Sequence, residues 1–331
     1  MSDHVNGLRR TETKLTIAVL ARSLGVSPAT VSNAINNRGH LSEETRQRVL
    51  QAIDQNGYSP SFTAKALRTG RTQTIGLILP NITNPVFPLM AQEIEREVSV
   101  RGQAVMLMDS QGHLDKQSHA LESLRSRNVD AIILVACRGT GRGDVPDGVI
   151  LIDAPSNPRS DVSSDHHLGG QLAARHLIGL GHRRISVLAG PENSVVAQER
   201  FQGAAEVMAE AGLSFVQIHH SSYGLVRGEE YAALHYQSGE ASALYAVSDS
   251  LAVGLIRGLH RRGLNVPHDV SVMGFDDVVW AELITPPLST IRQNVPAIAR
   301  AAVRLAMREA QTDRAIPVEL VVRQSTRSFP L

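Results

Sequence analysis

Residues 16–36, TIAVLARSLGVSPATVSNAIN, predict two short helices joined by a tight turn. Apolar side chains recur in the first helix at helical spacing, at Ile17, Leu20, Ala21 and Leu24. Thr16 is expected to cap the start of this helix. Gly25 is expected to end it, because glycine readily adopts the left-handed conformation that terminates helices. Ser27 then caps a second helix, with Pro28 at its first position, where the missing backbone N–H costs no hydrogen bond. Helices separated by so short a turn cross steeply, which is the helix-turn-helix pattern.

The outer face of the second predicted helix carries only small or amide-bearing side chains. They are Pro28, Ala29, Ser32, Asn33 and Asn36. A face of this kind fits the DNA major groove, where an asparagine amide can pair with the N6 and N7 edge of adenine. The pattern therefore favours sequence-specific DNA binding.

A third helix is predicted to begin at Ser42 and to end before Gly57. Glu43 and Glu44 lie at its N-terminus, where negative charge is favourable, and its expected buried residues are Val49, Leu50 and Ile53. A three-helix bundle that docks a protein partner is the alternative. The small polar face and the local positive charge favour DNA.

Positive charge is concentrated near the N-terminus. Residues 1–74 contain ten Lys and Arg against five Asp and Glu, whereas the remaining chain contains 23 and 27. A basic segment joined to a mildly acidic one is typical of a nucleic-acid-binding module fused to another domain, although random scatter of charge would give the same totals. Residues 61–74, SFTAKALRTGRTQT, end the basic segment. A two-turn helix there would be unstable alone, so this segment either folds against DNA or is an inert linker.

From residue 74 onward, short apolar runs alternate with longer helical patterns. The predicted strands are TIGLIL (74–79), AVMLMD (104–109), AIILVA (131–136), VILID (149–153), ISVLAG (185–190), ALYAVS (243–248), VSVMGFD (270–276), STIRQN (289–294) and VELVV (318–322). Apolar strands that alternate with helices indicate parallel sheets covered on both faces. So many strands exceed one compact doubly wound unit, and two sheets are predicted.

Polar side chains follow several of these strands. Because ligands bind beyond the carboxyl ends of parallel strands, the candidate ligand residues are Asn81, Asn84, Asp109, Gln111, Asp153, Asp165, Ser248, Asp249, Asp276 and Asp277. Converging carboxylates and amides suit a ligand rich in hydroxyl groups. Some of these residues would only cap the helix that follows, as Asp249 could do.

The composition of the chain and the motifs that it lacks argue against several classes of protein. The chain has 331 residues, of which 42% are hydrophobic and 20% charged, as in a soluble protein of two or three domains. A single cysteine, Cys137, excludes an intramolecular disulfide and suggests a reducing compartment. Neither a membrane-spanning run nor a secretory signal pattern is present, so a cytoplasmic protein is expected. Without a phosphate-binding loop, nucleophile elbow or zinc motif, we expect no enzyme, cofactor or metal site.

Five segments, in one order, resemble the lactose-repressor (LacI/GalR) family of bacterial transcription regulators over nearly the whole chain. They are LARSLGVSPATVSNAINNRGHLSEETRQRVLQAIDQNGYSP, KALRTGRTQTIGLILPNITNPVF, HLIGLGHRRISVLAGP, RRGLNVPHDVSVMGFDD and TPPLSTIRQN. The resemblance implies an α/β fold with a helix-turn-helix headpiece, a hinge helix and a periplasmic-binding-protein-like core of two doubly wound parallel-sheet lobes. The implied divisions are a disordered extension (1–14), the DNA-binding domain (15–59), the hinge helix and linker (60–73) and the effector-binding and dimerisation domain (74–331). Within the last domain, the first lobe would span about 74–164 and 295–320, and the second lobe about 165–293.

The resemblance also implies a repressor that binds a palindromic operator as a homodimer, with a tetramer as the alternative, under the control of a sugar or sugar derivative. Implied DNA contacts are Thr16, Ser27, Pro28, Ala29, Thr30, Ser32, Asn33, Asn36 and His40, with Leu67 wedged into the minor groove beside Arg68. Implied effector contacts are Asn84, Phe87, Asp109, Gln111, Asp153, Arg200, Tyr223, Asp249 and Asp276. A solute-binding protein without DNA function and a sugar-modifying enzyme are the alternatives. The basic helical segment disfavours the first, and the missing catalytic motifs disfavour the second.

Overall fold

The computed structural model describes residues 16–35, 39–55, 70–141, 143–153, 160–309 and 314–330. The chain divides into two compact units, Met1–Thr72 and Gln73–Leu331. The predicted extension, most of the predicted hinge segment with Leu67 and Arg68, and the predicted DNA contact Asn36 lie outside the described residues.

The described part of the first unit forms α1 (Ile17–Leu24), α2 (Pro28–Ile35) and α3 (Glu43–Gln55). Both predicted caps are confirmed. The Thr16 hydroxyl accepts a hydrogen bond from the Val19 amide at 3.3 Å, and the Ser27 hydroxyl accepts one from the Thr30 amide at 3.0 Å. Gly25 ends α1 with a φ of 66°, in the left-handed region.

The three helices bury a small apolar core. It consists of Leu20, Ala21, Val31, Ala34 and Val49. The prediction for Leu50 is wrong, because its side chain is 45% exposed. Successive residues of a helix point about 100° apart, so turning Val49 and Ile53 inward leaves Leu50 at the edge.

The second unit contains most of the chain. Its described strands are β1 (Thr74–Leu79), β2 (Ala104–Asp109), β3 (Ala131–Val135), β4 (Val149–Ile152), β5 (Ser163–Ser164), β6 (Ile185–Gly190), β7 (Ile218–His220), β8 (Ala243–Ala246), β9 (Ser271–Met273), β10 (Thr290–Arg292), β11 (Ala315–Ile316) and β12 (Glu319–Val321). Its described helices are α4 (Val86–Ser99), α5 (Leu114–Ser126), α6 (His166–Gly179), α7 (Val195–Glu210), α8 (Leu225–Leu234), α9 (Asp249–Arg261), α10 (Val279–Leu283) and α11 (Val295–Ala306). None of these helices is long and apolar enough to cross a membrane.

Two four-stranded parallel sheets define two lobes, as predicted. The first has the strand order β2-β1-β3-β4 and the second β7-β6-β8-β9. Alternation along β1 explains how helices cover both faces of the first sheet. Ile75, Leu77 and Leu79 pack against α4 and α11, whereas Ile78 packs on the opposite face against α5.

The chain passes between the lobes near its C-terminal end. Helix α11 belongs to the core of the first lobe, but Val318 and Leu320 pack on the core of the second. This differs from the expected first-lobe segment 295–320, because β12 pairs antiparallel with β10 of the second lobe. Short β11 pairs with β5 beside this passage, and neither of these two-residue strands has enough apolar pattern to be predicted.

Candidate functional site

The predicted DNA-contact residues that the structure describes lie on the surface of the first unit. Thr16, Ser27, Pro28, Ala29 and His40 are exposed, and Thr30, Ser32 and Asn33 are half-buried. The inner face of α2 is turned to the core through Val31 and Ala34. Helix α2 therefore presents small and amide side chains on its accessible face, which is the arrangement that groove reading requires.

A cavity of about 530 Å³ lies between the two lobes of the second unit. Its lining comes from segments that follow β1, β2, β3 and β4 on one side and β6, β7, β8 and β9 on the other. Both sheets thus contribute their carboxyl ends, as ligand sites in such folds do. Seven of the nine predicted effector residues line it, namely Asn84, Phe87, Gln111, Asp153, Arg200, Tyr223 and Asp276.

Three of these seven residues have backbone conformations that side-chain-bearing residues rarely adopt. The φ angles are 53° at Gln111, 56° at Asp153 and 124° at Asp276. Left-handed backbone at non-glycine residues is unfavourable and clusters at functional sites. The strain here occurs where strands end, at side chains that face the cavity.

Arg200 is the central buried cation of the site. It lies on α7 with only 4% of its surface exposed. Its Nη1 lies 2.9 Å from the Asp276 Oδ1 and donates to the Val247 carbonyl at 2.7 Å. Its guanidinium carbon lies 3.8 Å from the centre of the Phe275 ring. The ion pair, the hydrogen bond and the contact with the aromatic ring together fix this side chain. They also provide the compensating partners that a buried charge needs.

His166 links Arg200 to a second carboxylate. The Arg200 Nε donates to the His166 Nδ1 at 3.3 Å. Because a guanidinium can only donate, Nδ1 is the acceptor and the proton of the neutral imidazole is on Nε2. That Nε2 lies 3.0 Å from the Asp153 Oδ1 and donates to it.

Two further residues close the network into a ring. Gln293 Nε2 donates to the Asp276 Oδ1 at 2.8 Å, and its Oε1 accepts from the Ser164 hydroxyl at 2.7 Å. The Ser164 amide in turn donates to the Asp153 Oδ1 at 3.3 Å. We call this set the polar ring: Asp153, Ser164, His166, Arg200, Asp276 and Gln293. Four of its members line the cavity, where they offer oriented donors and acceptors to a polar ligand.

Two predicted effector residues, Asp109 and Asp249, are not part of the cavity lining. Asp249 is fully buried, and its carboxylate accepts from the Thr290 hydroxyl at 2.6 Å and from the Val278 amide at 2.9 Å. Its neighbour Ser248 caps α9 and lines the cavity instead. Asp109 accepts from the Gln111 amide at 2.9 Å and thereby shapes the turn that follows β2.

The burial of Asp249 has an electrostatic cost. Burial, together with the nearby negative charge of Asp276, raises the pKa of Asp249 to about 7. An ordinary aspartate has a pKa of about 3.9. The folded protein therefore binds this proton more tightly than the unfolded chain does, and the free energy of unfolding falls as the pH rises from about 4 to about 7.

Replacing Asp249 with asparagine is expected to remove this pH dependence. The amide mimics the protonated acid, with Oδ1 accepting from Val278 and Nδ2 donating to the Thr290 hydroxyl. Above pH 7 the variant should be more stable than the wild type by about 4 kcal/mol, and near pH 4 the two should be equal. Urea unfolding from pH 4 to pH 8 measures this. Glu122→Gln, on the exposed face of α5, is the control and should keep the wild-type profile; a D249N profile parallel to the wild type contradicts the assignment.

Several cavity residues were not predicted from the sequence. They are His113, Arg138, Ser194, Ser222, Ser250, Trp280 and Gln293. Asn81 and Ser248 also line the cavity; both were strand-end candidates, although neither was among the implied effector contacts. Trp280 is the only tryptophan of the chain. A lone tryptophan four residues after the strand-end Asp276 was an available signal, because large aromatic side chains are common in ligand pockets.

Comparison with known proteins agrees with this architecture. Residues 16–61 match the family of bacterial regulatory proteins called lacI, and residues 174–326 match the periplasmic binding protein-like domain. The chain is 32% identical to the HTH-type transcriptional regulator DegA of Bacillus subtilis (strain 168), over 95% of this chain and 98% of that protein. It is 33% identical to the ribose operon repressor of the same organism, over 94% and 98%. A crystal structure of the lac repressor dimer bound to operator and the anti-inducer ONPF has a TM-score of 0.86, with 24% identity over 95% of this chain and 99% of that one.

The chain therefore belongs to the lacI family of bacterial regulatory proteins. It is a helix-turn-helix transcriptional regulator that binds DNA. The family resemblance and the fold inferred from the sequence are both confirmed.

Proposed function

We propose that this regulator is a repressor that binds a palindromic operator as a homodimer, with a tetramer as the alternative, and that a small polar effector controls it. The observation that carries the proposal is the presence, in one chain, of a helix-turn-helix unit and a cavity with polar lining from two lobes. The ribose operon repressor supports repression. The lac repressor structure, a dimer with operator and an anti-inducer, supports the assembly and the two kinds of partner.

The effector would act by favouring one arrangement of the two lobes. Ring members from both sides of the cavity, Asp153 in the first lobe and Arg200 and Asp276 in the second, offer acceptors and a donor to hydroxyl groups. Phe87 and Tyr223 offer aromatic faces to the apolar side of a sugar. A ligand that binds one arrangement better shifts the population toward it and thereby changes operator affinity.

The DNA contacts form part of the same proposal. They are Thr16, Ser27, Pro28, Ala29, Thr30, Ser32, Asn33, Asn36 and His40, with Leu67 and Arg68 of the hinge segment in the minor groove. We further propose that the protein is not an enzyme, since the charged groups of the polar ring bind one another rather than forming a nucleophile–base pair. A DNA-binding regulator of this kind would act in the cytoplasm.

Selection from random DNA, followed by anisotropy titration, tests the operator proposal. A regulator should select a palindrome and bind it with an affinity that falls steeply with salt. Asn33→Ala should relax base preference at one or two positions in each half-site, costing about 1–3 kcal/mol there. Val19→Ala, an exposed residue of α1 outside the proposed contact set, should retain the wild-type preference. An unchanged consensus for N33A removes Asn33 from the base-reading set, and the absence of any selected sequence overturns the function.

A further inference from the structure

One positive charge in the cavity has no partner within the described chain. The charged residues of the lining are Arg138, Asp153, Arg200 and Asp276, and the last three belong to the polar ring. Arg138 follows β3 and is exposed, and among the described residues its guanidinium makes neither a hydrogen bond nor an ion pair. The ring thus satisfies its own charges, whereas Arg138 presents a free cation to the cavity.

The positive charge of Arg138 also affects a residue of the second lobe, on the opposite side of the cavity. Burial raises the pKa of Tyr223, and the positive charges of Arg200 and Arg138 oppose that rise. Tyr223 lies on the second lobe, where its hydroxyl is 3.1 Å from the Ser194 hydroxyl. A ligand that fills the space between the lobes therefore lies within electrostatic reach of Arg138.

Arg138 lines the cavity, so a ligand that lies against its guanidinium would displace water from it. A desolvated guanidinium without a counter-charge is unfavourable, and a neutral ligand would leave that cost uncompensated. A carboxylate or phosphate compensates it, because the planar fork of arginine binds either group through two parallel hydrogen bonds. The charge balance of the lining thus favours an anionic ligand over a neutral one.

Uncharged polar residues of the lining are suited to hydroxyl groups. Ser194, Ser222 and Ser250 contribute hydroxyls from the second lobe, and Asn84 contributes an amide from the first. The Asn84 Oδ1 accepts from the Val86 amide at 3.3 Å, which leaves its Nδ2 to donate. Hydroxyls and amides of this kind orient a ligand without adding charge.

We propose that the effector is an anionic polyhydroxylated compound, a sugar acid or a sugar phosphate, whose charged group binds Arg138 while its hydroxyls bind the polar ring and the serines of the second lobe. This inference rests on the proposed function, because it names the ligand class of the same cavity. Arg138 is its specificity-determining residue.

Trp280 provides a direct measure of ligand entry, because it is the only tryptophan and it lines the cavity. Its fluorescence is followed while the full chain is titrated with matched sugars at constant ionic strength. The sets are D-glucose with D-glucuronate and D-glucose 6-phosphate, D-galactose with D-galacturonate, and D-ribose with D-ribose 5-phosphate. At least one anion should bind about tenfold more tightly than its neutral counterpart, and the identity of that anion distinguishes carboxylate from phosphate.

Arg138→Gln should abolish this preference, so that the anion binds no more tightly than its neutral counterpart. Arg127→Gln, which removes an exposed arginine outside the cavity lining, is the charge-matched control and should keep the preference. The inference is overturned if a neutral sugar binds as tightly as its anions, if R138Q retains the preference, or if no anion of the set changes the fluorescence. Operator anisotropy in the same samples tests the regulatory function separately from the ligand class. If a neutral sugar releases or recruits the protein at the operator, the regulatory function is retained and the anionic ligand class is rejected. If the protein binds no selected operator, the regulatory function itself is rejected.

Discussion

Replacing Gly170 with alanine is expected to destabilise the second unit by about 3 kcal/mol, the upper range for overpacking a core. Gly170 lies on α6, and a Cβ atom there would lie 2.0 Å from the Arg200 carbonyl oxygen of α7. The contact is reciprocal, since a Cβ at Gly203 would lie 2.0 Å from the His167 carbonyl oxygen. No rotamer change relieves a clash with backbone, so the two helices must separate.

Thermal unfolding followed by circular dichroism measures this effect. For a unit of this size a loss of 3 kcal/mol lowers Tm by about 6–12 °C. Gly179→Ala, in the same helix, is the matched control, because a Cβ there meets no atom within 4 Å. G179A should be neutral or slightly stabilising, since alanine favours helix by up to about 1 kcal/mol. A G170A variant as stable as G179A would contradict the close packing of α6 on α7.

The clash also has a consequence for the cavity. Arg200 lies on α7 at the point where Gly170 approaches it, so separating the helices displaces the guanidinium from the polar ring. Effector binding should therefore weaken in G170A even under conditions where the variant is folded. The small residue in α6 thus positions a functional side chain in α7, although it contacts no ligand.

The local patterns of the sequence were sufficient for the main elements of the fold. The apolar run 74–79 coincides with β1, and the caps at Thr16 and Ser27 occur as predicted. These features depend on neighbours a few residues away, where periodicity and capping chemistry apply. The longer prediction 270–276 exceeds β9, because the chain leaves the sheet at Gly274 to turn Asp276 toward the cavity.

The candidate site was predictable only in part, because its partners are distant in sequence. Strand ends identified Asp153 and Asp276, but the same rule selected Asp249, whose carboxylate is turned into the protein by Thr290 and Val278. Periodicity does not tell which way a strand-end side chain points. The polar ring depends on pairs such as Ser164 and Gln293, which are 129 residues apart, and no local pattern links them.

Replacing Arg200 with methionine is expected to have the other large effect, a destabilisation of about 3–5 kcal/mol. The cost arises because the Asp276 carboxylate, which is 2.9 Å from Arg200 and almost fully buried, would lose its counter-charge. Arg257→Met is the control: Arg257 pairs with Glu229 at 2.7 Å, but its side chain is 59% exposed. An exposed pair of this kind contributes about 0–1 kcal/mol. Urea unfolding of the three proteins measures the contrast.

A second substitution and a change of pH test whether the unpaired carboxylate is the cause. Burial already raises the pKa of Asp276 and the positive charge of Arg200 opposes that rise, so removing Arg200 raises the pKa in the folded state further. The deficit of R200M relative to the wild type should therefore shrink as the pH falls toward 4. The double variant Arg200→Met/Asp276→Asn, which carries no charge at either position, should recover much of the loss at pH 7. If the double variant is as unstable as R200M and the deficit does not change with pH, the loss comes from the packing of Arg200 on Phe275 rather than from its charge.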